Sequence, residues 1–266
     1  MPSDPVPSDP RSPAPATGDA LLAEVFRAAH EDLPRQAPGS VDTLRLLLAL
    51  AGPLPERPRI VDVGCGTGAA AIPLAQITGG TVTAADTHTP FLARLRAAAA
   101  DAGVADRVTA IEAPMQELPL PDGCADLVWA DGSAYVMGVD AALAAWRRLL
   151  APGGRIVFTE CDWTTPDPAP GARAFWDEGY PGMRTTGANV TAFQEAGWTV
   201  AATYLLPGSD WDAYYDPLTA RIEQLRAGRP EGGPAFEAAL AEVGREIDVR
   251  RDHGRDYGYT GYVLRF

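Results

Sequence analysis

The feature that most restricts the fold is a regular alternation of apolar runs and helical periodicity that begins at residue 59. Short runs rich in β-branched residues occupy 59–63, 81–86, 107–113, 124–131 and 155–160. Apolar residues at helical spacing fill the intervals 68–78, 89–103 and 140–154. Strands that alternate with helices assemble side by side as a parallel, doubly wound sheet. We therefore predict an α/β fold whose ligand lies at the carboxyl ends of the strands.

Two segments precede the alternation. Residues 1–17 contain six prolines and almost nothing to bury, which predicts a disordered tail. Residues 18–57 predict an N-terminal helical cap of two helices, the second with Ser40 as its N-cap and Gly52 at its end.

Two further segments interrupt the alternation after residue 160. Residues 162–185 are rich in proline and aromatic residues, and residues 208–252 are acidic and helical. A helix and a strand are expected within 190–207, and a last strand over 256–266. Because neither interrupting segment fits the repeating unit, we interpret both as lid insertions that cover the site.

Charge and composition exclude several classes of protein. The net charge is -13 and the pI is about 4.6, so the surface repels nucleic-acid phosphates and anionic lipid, and neither is an expected partner. All 22 basic residues are arginine. The absence of lysine excludes a Walker A phosphate loop and a pyridoxal enzyme, since both depend on one.

The cysteines and histidines give no sign of a metal site. Cys65, Cys124 and Cys161 form no disulfide framework, and no metal-ligand spacing joins them to the three histidines. No signal peptide or membrane span is visible in the sequence. We expect a reducing, cytoplasmic location.

The stretch VDVGCGTG, residues 61–68, places glycines on alternate positions directly after the first strand. Such a turn lets the backbone approach a ligand, and the helix that follows favours an anionic group. A turn without any ligand is one alternative, and a dinucleotide site is another, because Gly64, Gly66 and Ala69 loosely match that fingerprint. Asp62 argues against a pyrophosphate and favours a cationic group, such as the ammonium or sulfonium of S-adenosylmethionine.

Four stretches together resemble a known family. These are VDVGCGTG, AAD after the second strand, QELPLPDGCADLVWA and LLAPGGRIVFTE. Over about residues 58–206 the chain resembles class I S-adenosylmethionine-dependent methyltransferases, in the small-molecule branch with the ubiquinone and menaquinone C-methyltransferases. The resemblance implies a bacterial enzyme with S-adenosyl-L-methionine as cofactor. It also implies a methyltransferase domain over 58–266, with a Rossmann-like seven-stranded sheet that is mostly parallel and has an antiparallel last strand.

The resemblance also implies which residues hold the cofactor. Those expected at its methionine end are Asp62, Gly64, Cys65, Gly66 and Gly68. Asp86 would accept the ribose hydroxyls, and those expected beside the adenine are Thr87, Met115 and Gln116. Asp131 would lie beside the transferable methyl group. Pro114 departs from the family pattern, which often has an aspartate there to accept from the adenine amino group.

Candidate residues for catalysis and substrate binding follow the fourth and fifth strands or lie in the first helices and the proline-rich insertion. Asp131 and Tyr135 are the catalytic candidates, since strand ends of this fold face the ligand. The substrate candidates are Tyr135, Glu160, Trp163, Trp176, Tyr180, Arg184, Arg35 and His30. Packing is the alternative for the tryptophans, local ion pairs for the arginines and a structural role for the histidine.

The predicted reaction is direct in-line transfer of a methyl group to an O, N or C nucleophile of a small molecule, possibly a secondary metabolite. The protein must orient the reactants and exclude water, and it needs a base only if the nucleophile arrives protonated. A nucleotide-dependent oxidoreductase and a non-catalytic S-adenosylmethionine-binding protein are the alternatives. The acceptor, the methylated atom and a homodimer are left open by the sequence.

Overall fold

A computed structural model describes residues 18–266, and the predicted disordered tail, 1–17, lies outside the described residues. The helices are α1 (Gly18–His30), α2 (Val41–Ala51), α3 (Ala71–Thr78), α4 (Thr89–Asp101), α5 (Val139–Trp146), α6 (Pro170–Gly179), α7 (Thr186–Glu195), α8 (Gly208–Gly228) and α9 (Gly233–His253). The strands are β1 (Arg59–Val63), β2 (Thr81–Asp86), β3 (Val108–Glu112), β4 (Ala125–Asp131), β5 (Leu150–Trp163), β6 (Thr199–Leu205) and β7 (Tyr257–Arg265).

The strands form one seven-stranded sheet in the order β3-β2-β1-β4-β5-β7-β6. Strands β1 to β5 pair in parallel, whereas β7 is antiparallel to both β5 and β6. The predicted α/β fold with an antiparallel last strand is therefore confirmed. The strand order reverses between β1 and β4, and ligands of open α/β sheets bind outside the strand ends at such a point.

Helices cover both faces of the sheet. Helices α2, α3 and α4 pack on one face, where Leu47, Leu74 and Leu95 are buried against strand residues such as Trp129. Helices α5 and α7 pack on the other face with Phe158 at the centre. Of the two helices assigned to the N-terminal cap, α2 thus contributes to the main core.

The other helices form a separate layer. Apolar residues of α1, α6, α8 and α9 pack together with the ends of β5 and β7 in a third buried cluster. Val25 of α1, Trp211 of α8 and Leu240 of α9 belong to it. Helix α1 therefore meets the C-terminal part of the chain in this layer. Within residues 18–266 no helix combines the length and the apolar composition needed to cross a membrane.

The region around β5 differs from the sequence prediction. The helix expected over 140–154 ends at Trp146, and β5 is longer than 155–160 at both ends. Gly153 adopts φ +77° and the register with β4 shifts before Arg155, so the glycines form an irregularity in the strand rather than a helix end. Trp163 pairs with Tyr257 of β7, so the strand continues into the first two residues of the proline-rich segment.

A buried hydrogen bond ties α2 to α8. Ser40 caps α2 as predicted, because its side chain accepts from the Thr43 backbone N–H. The Thr43 hydroxyl in turn donates to the Asp210 carboxyl at 2.5 Å, and both side chains are buried. The Asp210 carbonyl also accepts from the Gly39 N–H. This contact fixes the loop before α2 against the helical layer.

We expect Thr43→Val to lower the free energy of unfolding by about 1–3 kcal/mol, because it leaves the buried Asp210 carboxyl without its donor. Urea unfolding followed by circular dichroism measures this change. Thr191→Val is the matched control: its exposed hydroxyl donates to the Gly187 carbonyl, and the expected change is within about 0.5 kcal/mol. Equal stability losses in the two variants would contradict the assigned role of the Thr43–Asp210 bond.

Candidate functional site

The glycine turn after β1 packs directly against the residue that follows β4. Gly64, Gly66 and Gly68 all have positive φ, at 72°, 52° and 93°. A Cβ on Gly64 would lie 2.5 Å from the Cβ of Ser133, and the Ser133 hydroxyl donates to the Val63 carbonyl at 2.7 Å. Glycine at position 64 is therefore required by both backbone conformation and space.

Asp62, at the end of β1, is a buried carboxyl group without a partner. Its side chain is 1% exposed, and neither oxygen accepts a hydrogen bond from the described residues. Burial raises its pKa well above the usual range, and the nearby Asp131 and Asp86 raise the pKa further. A buried carboxyl group in this state favours a cationic ligand, which would satisfy its oxygens and its charge.

Asp86, at the end of β2, holds the glycine turn in place. One carboxyl oxygen accepts from the Gly66 N–H at 2.9 Å, and the other accepts from the His88 N–H at 2.8 Å. Each oxygen of a carboxylate has a second lone-pair site. Asp86 can therefore accept hydroxyl groups of a ligand without giving up the turn.

Asp131, at the end of β4, is positioned by two side chains. Thr159 of β5 donates to one carboxyl oxygen at 3.0 Å, and the Arg35 guanidinium lies 3.5 Å from the other. Burial raises the pKa of Asp131, and the Arg35 charge opposes that rise. Thr159 was not predicted, because a threonine inside a strand gives no sequence signal of such a role.

Asp62 and Asp131 line a narrow cavity of about 40 Å³ beside the glycine turn, whereas Asp86 and Gly68 do not line it. It is lined by Arg35, Gln36, Ala37, Asp62, Gly64, Cys65, Gly66, Thr67, Ala69, Ala70 and Asp131. Arg35, a substrate candidate, thus lies with the cofactor candidates instead. The lining residue Cys65 is a buried free thiol whose pKa is raised by that burial, so redox chemistry is not indicated.

The candidates for the adenine side lie at the surface near this turn. Thr87 and Gln116 are exposed, and Met115 is partly buried with its methyl group 3.8 Å from the Cβ position of Gly64. Their contact with adenine stays a prediction. Pro114, which replaces the expected acceptor, is exposed beside them.

A much larger cavity of about 720 Å³ adjoins the narrow one, and the two share Gln36 and Ala37 in their walls. Its volume is within the range of small-molecule sites. It contains the substrate candidates His30, Tyr135, Glu160, Trp176 and Tyr180. It also contains residues that the sequence analysis missed, namely Tyr214, Tyr259, Glu246 and Cys161.

Two carboxyl groups face the large cavity. Glu160 is 1% exposed; one oxygen accepts from the Cys161 N–H at 3.2 Å, and the other has no partner. Burial and the neighbouring Asp162 raise the pKa of Glu160 to about 8. Glu246 accepts from the Tyr215 hydroxyl at 2.5 Å, and burial raises its pKa as well.

His30 is held in one orientation at the edge of the large cavity. Its Nδ1 lies 2.7 Å from the Phe26 carbonyl, and its Nε2 lies 3.3 Å from the Tyr214 hydroxyl. Burial lowers the pKa of His30, which favours the neutral ring. These contacts assign the proton to Nδ1, with Nε2 as an acceptor.

Two predicted substrate residues lie outside both cavities. Trp163 is buried beneath the Arg173 guanidinium, 4.6 Å above its ring, and edge-on to Tyr257. Arg184 donates to both carboxyl oxygens of Asp140, at 2.9 and 2.7 Å. Both side chains are committed to packing or pairing, as the alternatives in the sequence analysis allowed. Within residues 18–266 no three side chains of the metal-binding types cluster.

The geometry agrees with what comparisons with known proteins show. Residues 60–154 match the family of the methyltransferase domain. Dimethylglycine N-methyltransferase of Parasynechococcus marenigrum is 38% identical over 125 residues, which are 47% of this chain and 45% of that protein. The ubiquinone/menaquinone biosynthesis C-methyltransferase of Psychromonas ingrahamii is 36% identical over 111 residues, or 41% of this chain and 43% of that protein. The chain spans about half the length of the curated relatives it matches.

A solved structure shares the whole fold. The S-adenosylmethionine-dependent methyltransferase of Geobacter sulfurreducens, solved with S-adenosyl-L-homocysteine, superposes with a TM-score of 0.78 at 22% identity. The superposition covers 91% of this chain and 97% of that one. The sheet with its antiparallel last strand, together with the glycine turn after β1, is a Rossmann-like fold. Residues 60–154 of that fold are the part that matches the methyltransferase domain.

We expect Glu160→Gln to change how stability depends on pH. A carboxyl whose folded pKa is about 8 keeps its proton in the folded state while the unfolded chain loses it above about pH 4.5. Wild-type stability should therefore fall between these values as the pH rises, by up to about 1.4 kcal/mol per pH unit relative to Glu160→Gln.

Melting temperatures of both proteins from pH 5 to pH 8 measure this effect. Glu195→Gln, which changes an exposed residue of the same type, should melt in parallel with the wild type. A difference between wild type and Glu160→Gln that stays constant with pH would contradict the raised pKa of Glu160.

Proposed function

We propose that this chain transfers a methyl group from S-adenosyl-L-methionine to an O, N or C nucleophile of a small molecule bound in the large cavity. The observation that carries the proposal is the unpartnered, buried carboxyl of Asp62 beside the glycine turn. A cationic ligand group at that point would satisfy it, and S-adenosylmethionine has such groups at its methionine end.

The other residues of the turn fit the same ligand. A Cβ on Gly66 would meet only the Gln36 side chain, at 3.5 Å, so the backbone there is open to a ligand. Asp86 has free lone pairs for the ribose hydroxyls. Asp62 and Asp131 lie where an ammonium group would be paired, and Arg35 is placed to take the carboxylate as a fork.

For methyl transfer the protein mainly has to position the two reactants. S-adenosylmethionine supplies a methyl group that is already activated. The chain must hold the nucleophile close to it and keep water away. The stretch that includes Gln36 and Ala37 lies between the two cavities, and the helical layer over the strand ends closes the larger one. Tyr135 lines that cavity and is 44% exposed, so its hydroxyl is available to orient an acceptor.

The class of methyl acceptor, the cellular location and the partners are proposed on the same basis. The relatives named above methylate nitrogen in one case and carbon in the other, and their similarity is restricted to about half of each protein. We propose a small-molecule acceptor, a cytoplasmic location and neither nucleic acid nor membrane as partner, in keeping with the net charge of -13.

Calorimetric titration with S-adenosylhomocysteine tests the cofactor. We expect a Kd on the order of micromolar for the wild type and binding weakened at least about tenfold by Asp86→Ala, because the ribose acceptor is lost. Asp106→Ala, at an exposed position in a loop, should bind like the wild type. Tight binding of NAD without binding of S-adenosylhomocysteine would overturn the proposal in favour of an oxidoreductase.

A second prediction separates stability from ligand binding at Asp62. Asp62→Asn removes a buried acid whose pKa is raised by burial and by two neighbouring carboxyls, so we expect a higher melting temperature at pH 7 without ligand. The same variant should bind S-adenosylhomocysteine at least about tenfold more weakly, since the ammonium loses its counter-charge. Unchanged affinity would show that Asp62 does not meet the cationic end of the ligand.

A further inference from the structure

The large cavity is lined by both aromatic and acidic side chains. Eight of its 23 lining residues are aromatic, namely Phe26, Phe91, Phe175, Trp176, Tyr135, Tyr180, Tyr214 and Tyr259. The buried Glu160 and the partly buried Glu246 interrupt this surface. At the rim, Glu31 and Arg27 are exposed and of opposite charge. The interior is thus both aromatic and acidic.

Glu160 has an oxygen available for a ligand. Its Oε2 is buried and has no partner of good hydrogen-bond geometry among the described residues, although the nearby Tyr180 hydroxyl opposes part of the rise in the pKa of Glu160. Arg184, whose charge lowers the pKa of Glu160, is already bound to Asp140 and to Asn189. An unpartnered buried acid facing a cavity is costly unless a ligand supplies the missing donor.

Glu246 lines the same cavity as Glu160. It lies on α9, whereas Glu160 lies on β5. Burial is the main cause of the raised pKa values of Tyr135 and Tyr259. The negative charges of Glu160 and Glu246 raise both pKa values further. The two acids and the two tyrosines therefore border one cavity.

From this arrangement we propose that the methyl acceptor is a protonated amine carrying an apolar or aromatic group, with its ammonium at Glu160 and Glu246 among the aromatic rings. Carboxylates and aromatic faces are the two protein surfaces that attract an ammonium ion. This inference rests on the proposed methyltransferase function and specifies its substrate class and the methylated atom.

The proposal also gives Glu160 a part in the reaction. An ammonium has no free electron pair, so it must lose a proton before it can be methylated. Glu160 Oε2 takes that proton and becomes a neutral carboxyl. The freed lone pair on nitrogen forms the new N–C bond, the bond between methyl and sulfur breaks, and its electron pair stays on sulfur. Overall, the methylated ammonium, S-adenosylhomocysteine and one proton are the products.

The groups that face Glu160 decide how it titrates. On its own strand these are Asp162 and Cys161, and from other elements they are Tyr135, Tyr180, Arg184, Glu246 and Tyr259. Burial and Asp162 hold the pKa of Glu160 at about 8, so the empty cavity holds a mostly neutral acid at pH 7. An arriving ammonium lowers that pKa, and binding should release a proton.

The experiment compares phenethylamine with 2-phenylethanol, two probes that differ in the polar group. Both are titrated calorimetrically into protein saturated with S-adenosylhomocysteine at pH 7. We expect the amine to bind at least about tenfold more tightly than the alcohol. Proton release on amine binding is followed with an indicator dye in weakly buffered solution.

Variants test whether Glu160 and Glu246 cause the preference for the amine. Glu160→Gln should weaken amine binding at least about tenfold, change the affinity for the alcohol by no more than about twofold and abolish proton release. Glu246→Gln should reduce the amine preference as well, and it supplies a second test if Glu160→Gln does not fold. Glu195→Gln loses the same charge from an exposed position and should behave like the wild type.

The outcomes separate this inference from the proposed function. Binding of S-adenosylhomocysteine with equal affinity for amine and alcohol would overturn the amine proposal and leave the methyltransferase intact. Failure to bind S-adenosylhomocysteine in the first titration would instead count against the methyltransferase. An unaltered amine affinity in Glu160→Gln that retains S-adenosylhomocysteine binding would also overturn the amine proposal.

Discussion

The site depends on three carboxyl groups that the sheet brings together. Parallel strands end at one edge, and β1, β2 and β4 end in or beside Asp62, Asp86 and Asp131. Each is stabilised differently: Asp86 accepts two backbone N–H groups, Asp131 has Thr159 and Arg35, and Asp62 has no partner. The fold tolerates this concentration of negative charge because two of the three are paired. The third is the point at which a cationic ligand gains the most.

The division of the site into two connected cavities follows from the layers of the fold. The narrow cavity is built almost entirely from strand ends and the glycine turn, whose geometry is fixed by contacts such as Gly64 with Ser133. The large cavity is built from the helical layer, in which α1 packs against α8 and α9. Only the loop with Gln36 and Ala37 belongs to both. The two cavities therefore depend on different parts of the core.

Sequence reasoning was strongest where local patterns carry the information. Strand and helix periodicity predicted the sheet, and Ser40 was correctly identified as a cap. It failed at Gly153, because a glycine after a helical pattern reads as a helix end, and only the pairing of β5 with β4 shows the irregular strand. Tyr214 and Glu246 were missed for a different reason. Their helices carry many acidic and aromatic residues, and tertiary packing alone selects those that face the cavity.

The same division explains why relatives inform the two halves of the site unequally. The matched domain covers residues 60–154, which includes the glycine turn and all three carboxyl groups. Glu160, Trp176 and Glu246 lie beyond it, as does the whole of α1. The proposed site for the methyl donor therefore lies mostly within the part of the chain that the relatives share. The large cavity, proposed for the acceptor, is formed mostly by segments before and after that shared part, such as α1 and α9. For this reason the proposal for the acceptor depends on the acidic and aromatic walls of this chain rather than on the names of its relatives.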